Sequence, residues 1–174
     1  MIRRFKVEDL NSCKEIISKC IKDYTGLNLK EKRFFEEVYT KKGYLEDKNN
    51  SGKIFVFEKD GKIIGMGMTE NGWAKKLFID PPYHNSGVGS FIFKKLEEEI
   101  KKEGYKEVNV YCFPNTITFC EHRGYHIVEQ KVVKKRGIKI RLTHMKKGFI
   151  KEGILQKNEN RNKIKGFSNN LQGR

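Results

Sequence analysis

A chain of 174 residues with 37% apolar and 34% charged content is long enough for one domain with a real core, and its aromatics and isoleucines exclude a disordered chain. No apolar run approaches the ~18 residues of a membrane span, and four cysteines without a C-x-x-C pair argue against a disulfide framework. The net charge of +15 admits nucleic acid, acidic substrates or anionic cofactors as ligands.

The opening "MIRRFKVEDL" is charged and then amphipathic, without the apolar core of a secretory signal, so a cytoplasmic protein is the expectation. Residues 2–6 read as a short strand. Val7, Leu10, Cys13, Ile16, Ile17, Cys20, Ile21 and Tyr24 then recur at three and four residues, the spacing of one helix face. "TGLN" breaks that helix. Phe34, Phe35, Val38, Tyr39 and Leu45 mark a second one over 30–45, and "EDKNNSGK" reads as a loop.

"KIFVFEKDGKIIGMGMTE" holds two apolar runs around Asp60-Gly61, a dipeptide that favours a tight hairpin turn. Residues 73–80 form a further strand, stopped by Pro81-Pro82. A helix from about Ser90 to Glu103 presents Phe91, Ile92, the Lys95 stem, Leu96 and Ile100 to a core, and Gly104 ends it. "EVNVYCF" is the next strand, and the intervening helix lets it run parallel to 73–80. A short helix over "NTITFCEHRGY" and a hairpin around Arg136-Gly137 complete the periodic part.

After Met145 the pattern fails. From Lys146 onward eight Lys/Arg face two Asp/Glu, a net +6 in 29 residues. The reading is a domain over 1–147 and a basic, flexible tail over 148–174, with a short helix near 150–157. In the body of the chain lysine alternates with glutamate, as on solvated helix faces. Cys112, Cys120, His122 and His126 lack the pairwise spacing of a zinc set, so no metal is expected.

The chemistry-bearing stretch is "LFIDPPYHNSGVGSFIFKKLEEEI", residues 77–100. Its centre is a glycine-bearing loop that opens a helix, where successive N–H groups close around a phosphate. A Walker loop needs a lysine after its second glycine, and none follows Gly89. A dinucleotide fingerprint needs a third glycine at position 92, which is Ile92.

Three stretches together resemble the GNAT superfamily of acyl-CoA-dependent N-acetyltransferases. The family pattern [Gln/Arg]-x-x-Gly-x-[Gly/Ala], behind a strand ending in V/I-x-P, stands here as His84-Asn85-Ser86-Gly87-Val88-Gly89 behind "LFIDPPY". "FCEHRGY", after Asn115, is similar to the family's "FYEKxGF". "RLTHMKKGF" is similar to its last strand, which often closes on "R-x-M-x-K". The order of elements agrees, and the resemblance covers about residues 1–148.

The resemblance implies an α/β fold of the α+β kind. It would have a mixed central sheet of about six to seven strands, about four helices, and a splayed parallel strand pair holding acyl-CoA. It implies transfer of an acetyl group from acetyl-CoA to a primary amine by direct attack on the thioester. The N–H groups of Asn85, Ser86, Gly87, Val88, Gly89 and Ser90 would hold the pyrophosphate, and Gly87 and Gly89, without Cβ atoms, would admit it closely. His84 stands where Arg or Gln is usual and would donate to a phosphate. Phe78 and Ile79 would pair their backbone with the pantetheine arm, the Ile79 N–H would serve as oxyanion donor, and the Asn115 side chain would bond to the pantetheine amide region.

Two positions depart from the family. Cys120 occupies the place of its usual tyrosine acid and is the candidate general acid. Lys75 occupies the place of its usual glutamate, which leaves Glu70 as candidate general base. These departures keep a second reading open, a non-catalytic CoA-binding regulator. A third, a nucleic-acid-binding protein working through its tail, lacks any aromatic–basic stacking stripe. The acceptor would be a small molecule or a protein amino group, chosen by the first two helices and the last hairpin, with no membrane partner, by a monomer or homodimer.

Overall fold

The computed structural model describes residues 1–40 and 52–149. In chain order the elements are β1 (Ile2–Arg4), α1 (Leu10–Asp23), α2 (Leu29–Thr40), β2 (Lys53–Lys59), β3 (Lys62–Glu70), β4 (Trp73–Ile79), α3 (Val88–Lys102), β5 (Glu107–Cys112), α4 (Ile117–Glu121), β6 (His126–Lys135) and β7 (Ile138–Gly148). The seven strands form one mixed sheet in the order β1-β2-β3-β4-β5-β7-β6. Every neighbouring pair is antiparallel except β4–β5, which α3 joins as a crossover.

Three hairpins carry the same local cause. Asp60-Gly61, Asn71-Gly72 and Arg136-Gly137 each place two consecutive residues at positive φ, with values of 50 and 72°, 49 and 79°, and 48 and 79°. That turn matches the right-handed twist of the strands it joins. The Asn-Gly at 71–72 carries the same signal in sequence as Asp60-Gly61.

Two apolar layers cover the sheet. On one face Ile92, Phe93, Leu96 and Ile100 of α3 pack with Cys120 of α4 against Ala74, Val108, Val110, Cys112 and Met145. Gly65 and Gly67 let α3 lie close on β3, because a Cβ at either would come within 2.8 Å of the Ile92 side chain. On the other face Cys13, Ile17 and Ile21 of α1 and Phe34 and Phe35 of α2 pack against Val56, Met66, Ile138 and Ile140.

Several elements differ from the sequence reading. Strand β1 ends at Arg4, and Val7 is 71% exposed rather than on the buried helix face. The cause is Asp9, which accepts from the Lys6 N–H at 2.8 Å and from two Arg3 nitrogens at 2.7 and 2.8 Å, folding residues 7–9 into a 3₁₀ turn. Helix α3 starts two residues early, at Val88, and Phe91 is 61% exposed while Phe93 is buried. Positions 92, 96 and 100 define the inward stripe, which places 93 beside it and turns 91 outward. Leu45, Glu46 and most of the "EDKNNSGK" loop lie outside the described residues, as does the tail beyond Phe149 with its expected helix. Among the described residues no helix is long and apolar enough to cross a membrane.

Candidate functional site

The parallel pair β4–β5 is joined at one point. Trp73 and Asn109 are the only registered partners, and the Asn109 N–H donates to the Gly72 carbonyl at 3.0 Å. Beyond that vertex the two strands part. Strand β4 is turned by a bulge in which one residue of β3 (Gly67, between Met66 and Met68) lies opposite two of β4 (Leu77 and Lys76, between Phe78 and Lys75), with Lys76 at a φ of 54°. Strand β5 is held on its other side by β7 from Glu107 to Cys112. The result is a cleft between the C-terminal ends of two adjacent parallel strands.

The glycine-bearing loop stands at the mouth of that cleft. Asn85 and Gly87 adopt positive φ, 59 and 86°, and α3 begins at Val88. Its first backbone bond runs from the Phe91 N–H to the Gly87 carbonyl at 3.0 Å, so the N–H groups of Val88, Gly89 and Ser90 precede the helical ladder. Gly87 offers no capping side chain. At Gly89 an added Cβ would meet Ile79 at 3.6 Å, an ordinary contact, and no positive φ requires a glycine there. Position 89 therefore admits glycine or alanine, and what the loop offers an anion is the set of N–H groups ahead of the helical ladder. The site thus fits an anion at the α3 N-terminus.

The end of β4 presents one residue to the cleft through its backbone. The Asp80 N–H donates to the Ile64 carbonyl at 2.9 Å. Strand alternation then commits Phe78 to its β3 partner Met66 and turns the N–H and C=O of Ile79 away from β3. The expectation that Phe78 pairs its backbone with a ligand is corrected on that ground; its ring instead packs edge-on to Tyr39, 5.8 Å between centroids. The Ile79 carbonyl accepts from Cys20 Sγ at 3.0 Å and from His84 Nε2 at 2.9 Å. His84 thus folds back onto β4, and Ser86 donates its hydroxyl to the Tyr83 carbonyl at 2.6 Å.

Asn115 lies exposed in a 3₁₀ turn, Pro114–Thr116, that leads from β5 into α4. It follows the C-terminal end of β5. The two candidates for proton transfer are placed differently. Cys120 is 3% exposed, with its Sγ 3.2 Å from that of Cys112. The hydrogen bond with Cys112, and then burial, push the Cys120 thiol well above the ordinary thiol range. The candidate acid thus lies in the layer between α3 and the sheet, within hydrogen-bonding distance of the Cys112 thiol. Glu70 sits where β3 turns into β4, paired with Trp73 in register, and its carboxylate is ion-paired with Lys75. The candidate base is thus held by the lysine that stands in place of the family's usual glutamate.

One constellation has no counterpart among the expected site residues. At the vertex, on the α1–α2 face, Trp73 stacks on Tyr111 (4.8 Å, 21°) and on His144 (4.9 Å, 29°). His144 Nε2 lies 2.9 Å from Asn109 Oδ1. Tyr111 is 42% exposed. Period-two alternation in "EVNVYC" and "RLTHM" places Asn109, Tyr111 and His144 on single faces, but their meeting depends on β5 pairing with β7, which local patterning does not specify.

Residues 20–149 match the family model described as "Acetyltransferase (GNAT) domain". An uncharacterized N-acetyltransferase of Methanocaldococcus jannaschii is 24% identical over 147 residues, 76% of this chain and 62% of the relative, so the chain spans less than two thirds of that protein. Among solved structures, a GCN5-related N-acetyltransferase from Rhodopseudomonas palustris superposes with a TM-score of 0.80 at 18% identity, covering 86% of this chain and 95% of its own. The PaiA N-acetyltransferase from Thermoplasma acidophilum, in complex with coenzyme A, superposes with a TM-score of 0.65 at 20% identity, covering 86% and 98%. These two likenesses concern the fold.

Proposed function

The chain belongs to the GNAT acetyltransferase family, and from that premise we propose that it moves an acetyl group from acetyl-CoA to a primary amine by direct attack of the amine on the thioester. The observation that carries the reading is the Gly87–Ser90 loop opening α3 at the mouth of the β4–β5 cleft, with the backbone of Ile79 facing the same gap. Acetyl-CoA, when bound, supplies an activated acyl group. The N–H groups of residues 85–90 would hold its pyrophosphate, with His84 beside them after leaving the Ile79 carbonyl. Asn115 would fix the pantetheine amides from the β5 side. The Ile79 N–H would donate to the thioester oxygen as that oxygen gains charge.

Calorimetric titration of acetyl-CoA, followed by detection of free CoA thiol with a panel of primary amines, tests the proposal. Saturable binding with thiol release that depends on an amine is the expected result. Binding without release by any amine would favour a CoA-binding regulator, and absence of binding would end the reading.

A further inference from the structure

We infer that the Trp73–Tyr111–His144 wall is the acceptor site, that it takes a primary alkylammonium, and that His144 removes the proton that must leave before the amine can attack. The inference rests on the transferase reading above and adds the acceptor half of the site.

Three observations carry it. The first is position. Trp73 and Asn109 form the only registered pair between β4 and β5, so the wall stands at the vertex where the two strands part. It lies on the sheet face of α1 and α2, opposite α3, because Val108, Val110 and Cys112 of β5 point into the α3 layer and Asn109 and Tyr111 alternate away from them. A ligand held by the α3 N-terminus and an acceptor on this wall therefore approach the gap from opposite faces, which keeps the acceptor clear of the phosphate loop.

The second observation is the tautomer. A carboxamide oxygen only accepts, so His144 Nε2 carries a hydrogen and donates it to Asn109 Oδ1 at 2.9 Å. In the neutral ring Nδ1 then keeps its lone pair, the state a general base needs. Asn109 acts as the positioning residue. The ring is further held by Trp73 on one side and by Tyr111 at 5.5 Å.

The third observation is that the wall already accepts an ammonium group. Lys131 Nζ lies 4.6 Å from the centroid of the Tyr111 ring and donates to its hydroxyl at 2.7 Å. Aromatic faces attract such cations, and a tryptophan face does so best. The charged and titratable groups on this face around His144 are Glu129 opposite it, Lys131 and His126 on β6, Glu107 and Tyr111 on β5 and Lys146 on β7, with the Glu70–Lys75 pair on β3 and β4 beside Trp73. Glu129 is paired with Lys131, Glu107 with Lys146 and Glu70 with Lys75, so these carboxylates are engaged, and of the two imidazoles it is that of His144 that stacks on Trp73.

In the step, the alkylammonium gives one proton to Nδ1, which passes it to solvent. The neutral nitrogen forms the N–C bond as the C–S bond breaks, and the second nitrogen proton ends on the departing CoA thiolate.

Trp73 is the single tryptophan of the chain, so its fluorescence reports this wall directly. The experiment titrates the protein with n-butylammonium, spermidine and lysine amide, without acetyl-CoA, and then titrates it with pH. Saturable fluorescence changes with at least one amine are expected, weakened in Tyr111→Ala, together with a pH step that disappears in His144→Gln. In the transfer assay, kcat/KM rises with pH in the native protein; in His144→Gln it falls roughly 100-fold and the rise is lost, with acetyl-CoA binding unchanged. Asn109→Ala, which frees the tautomer, lowers kcat with little effect on KM, and serves should His144→Gln fail to fold. An unchanged pH profile in both variants, with transfer intact, overturns this inference and leaves the transferase reading standing. A native protein that transfers to no amine overturns both.

Discussion

Cys20 of α1 and Ile79 of β4 meet across 59 positions of sequence, the thiol donating to the carbonyl at 3.0 Å at the edge of the cleft. This contact ties the helix layer to the strand end that faces the ligand. Burial pushes the Cys20 thiol up to about 11 and the Cys13 thiol up to about 12. Only the thiolate reacts, so iodoacetamide at about pH 8 is expected to label the folded protein slowly. Cys20 is half-buried and the other three cysteines are buried, so it should label first, and faster as pH rises toward 11. Mass spectrometry of partially labelled protein checks the order; prior labelling of Cys112 or Cys120 would contradict the burial.

Gly89→Ala should leave both folding and binding intact. The added methyl meets only ordinary contacts, and alanine gains up to ~1 kcal/mol over glycine inside a helix, so the melting temperature should hold or rise. Acetyl-CoA affinity should also hold within about threefold, because the methyl points at Ile79 and the family pattern admits alanine at this position. Gly87→Ala should behave differently. Its φ of 86° strains any L side chain by ~1–2 kcal/mol, so stability falls. Thermal melts beside calorimetry distinguish the two.

Acid should unfold the protein through its paired carboxylates. Arg3 donates two hydrogen bonds to Asp9 and holds its carboxyl below the usual range, and Lys95, with Lys102, brings Glu99 down to about 2. Depressed values in the folded state mean that this stability is complete above the unfolded values, about 4 to 4.5, and is lost as pH falls toward 2. Asp9→Asn should lower stability by about 1–3 kcal/mol at neutral pH and flatten that loss between pH 5 and about 3. Urea unfolding across this range measures both; an equally steep acid loss in the variant would remove Asp9 from the account.

Tyr125 and Cys120 should both be dispensable for chemistry. Burial, with Glu97 beside it, pushes the Tyr125 hydroxyl well above its ordinary range while it donates to Glu97 Oε1 at 3.0 Å. Tyr125→Phe should cost ~1 kcal/mol of stability, and Cys120→Ala a similar amount through lost packing. Neither should change kcat more than about threefold, since neither reaches the cleft. A loss of a hundredfold or more in Cys120→Ala at preserved stability would restore the thiol as a proton donor.

What the sequence determined by itself was everything that depends on neighbours in the chain. The paired turn residues at 60–61 and 136–137 produce hairpins because positive φ is local chemistry. The apolar stripe of Ile92, Leu96 and Ile100 and the glycines of the following-strand loop placed a phosphate-type site ahead of α3 without reference to any contact. The resemblance of "HNSGVG", "FCEHRGY" and "RLTHMKKGF" to one family rests on the same short segments. Tertiary structure decided the rest. Cys120 was read from position in a motif and Glu70 from its place at a strand end, but the burial of one beside Cys112 and the pairing of the other with Lys75 depend on packing between elements. Phe91 was read as core from its chemistry, but its exposure follows from where the helix begins. His144, Asn109 and Trp73 come from three strands whose order, β4-β5-β7, inserts the last strand between two earlier ones. No pattern within β4, β5 or β7 alone records that insertion, because side-chain alternation specifies a face and only the pairing of whole strands specifies a neighbour.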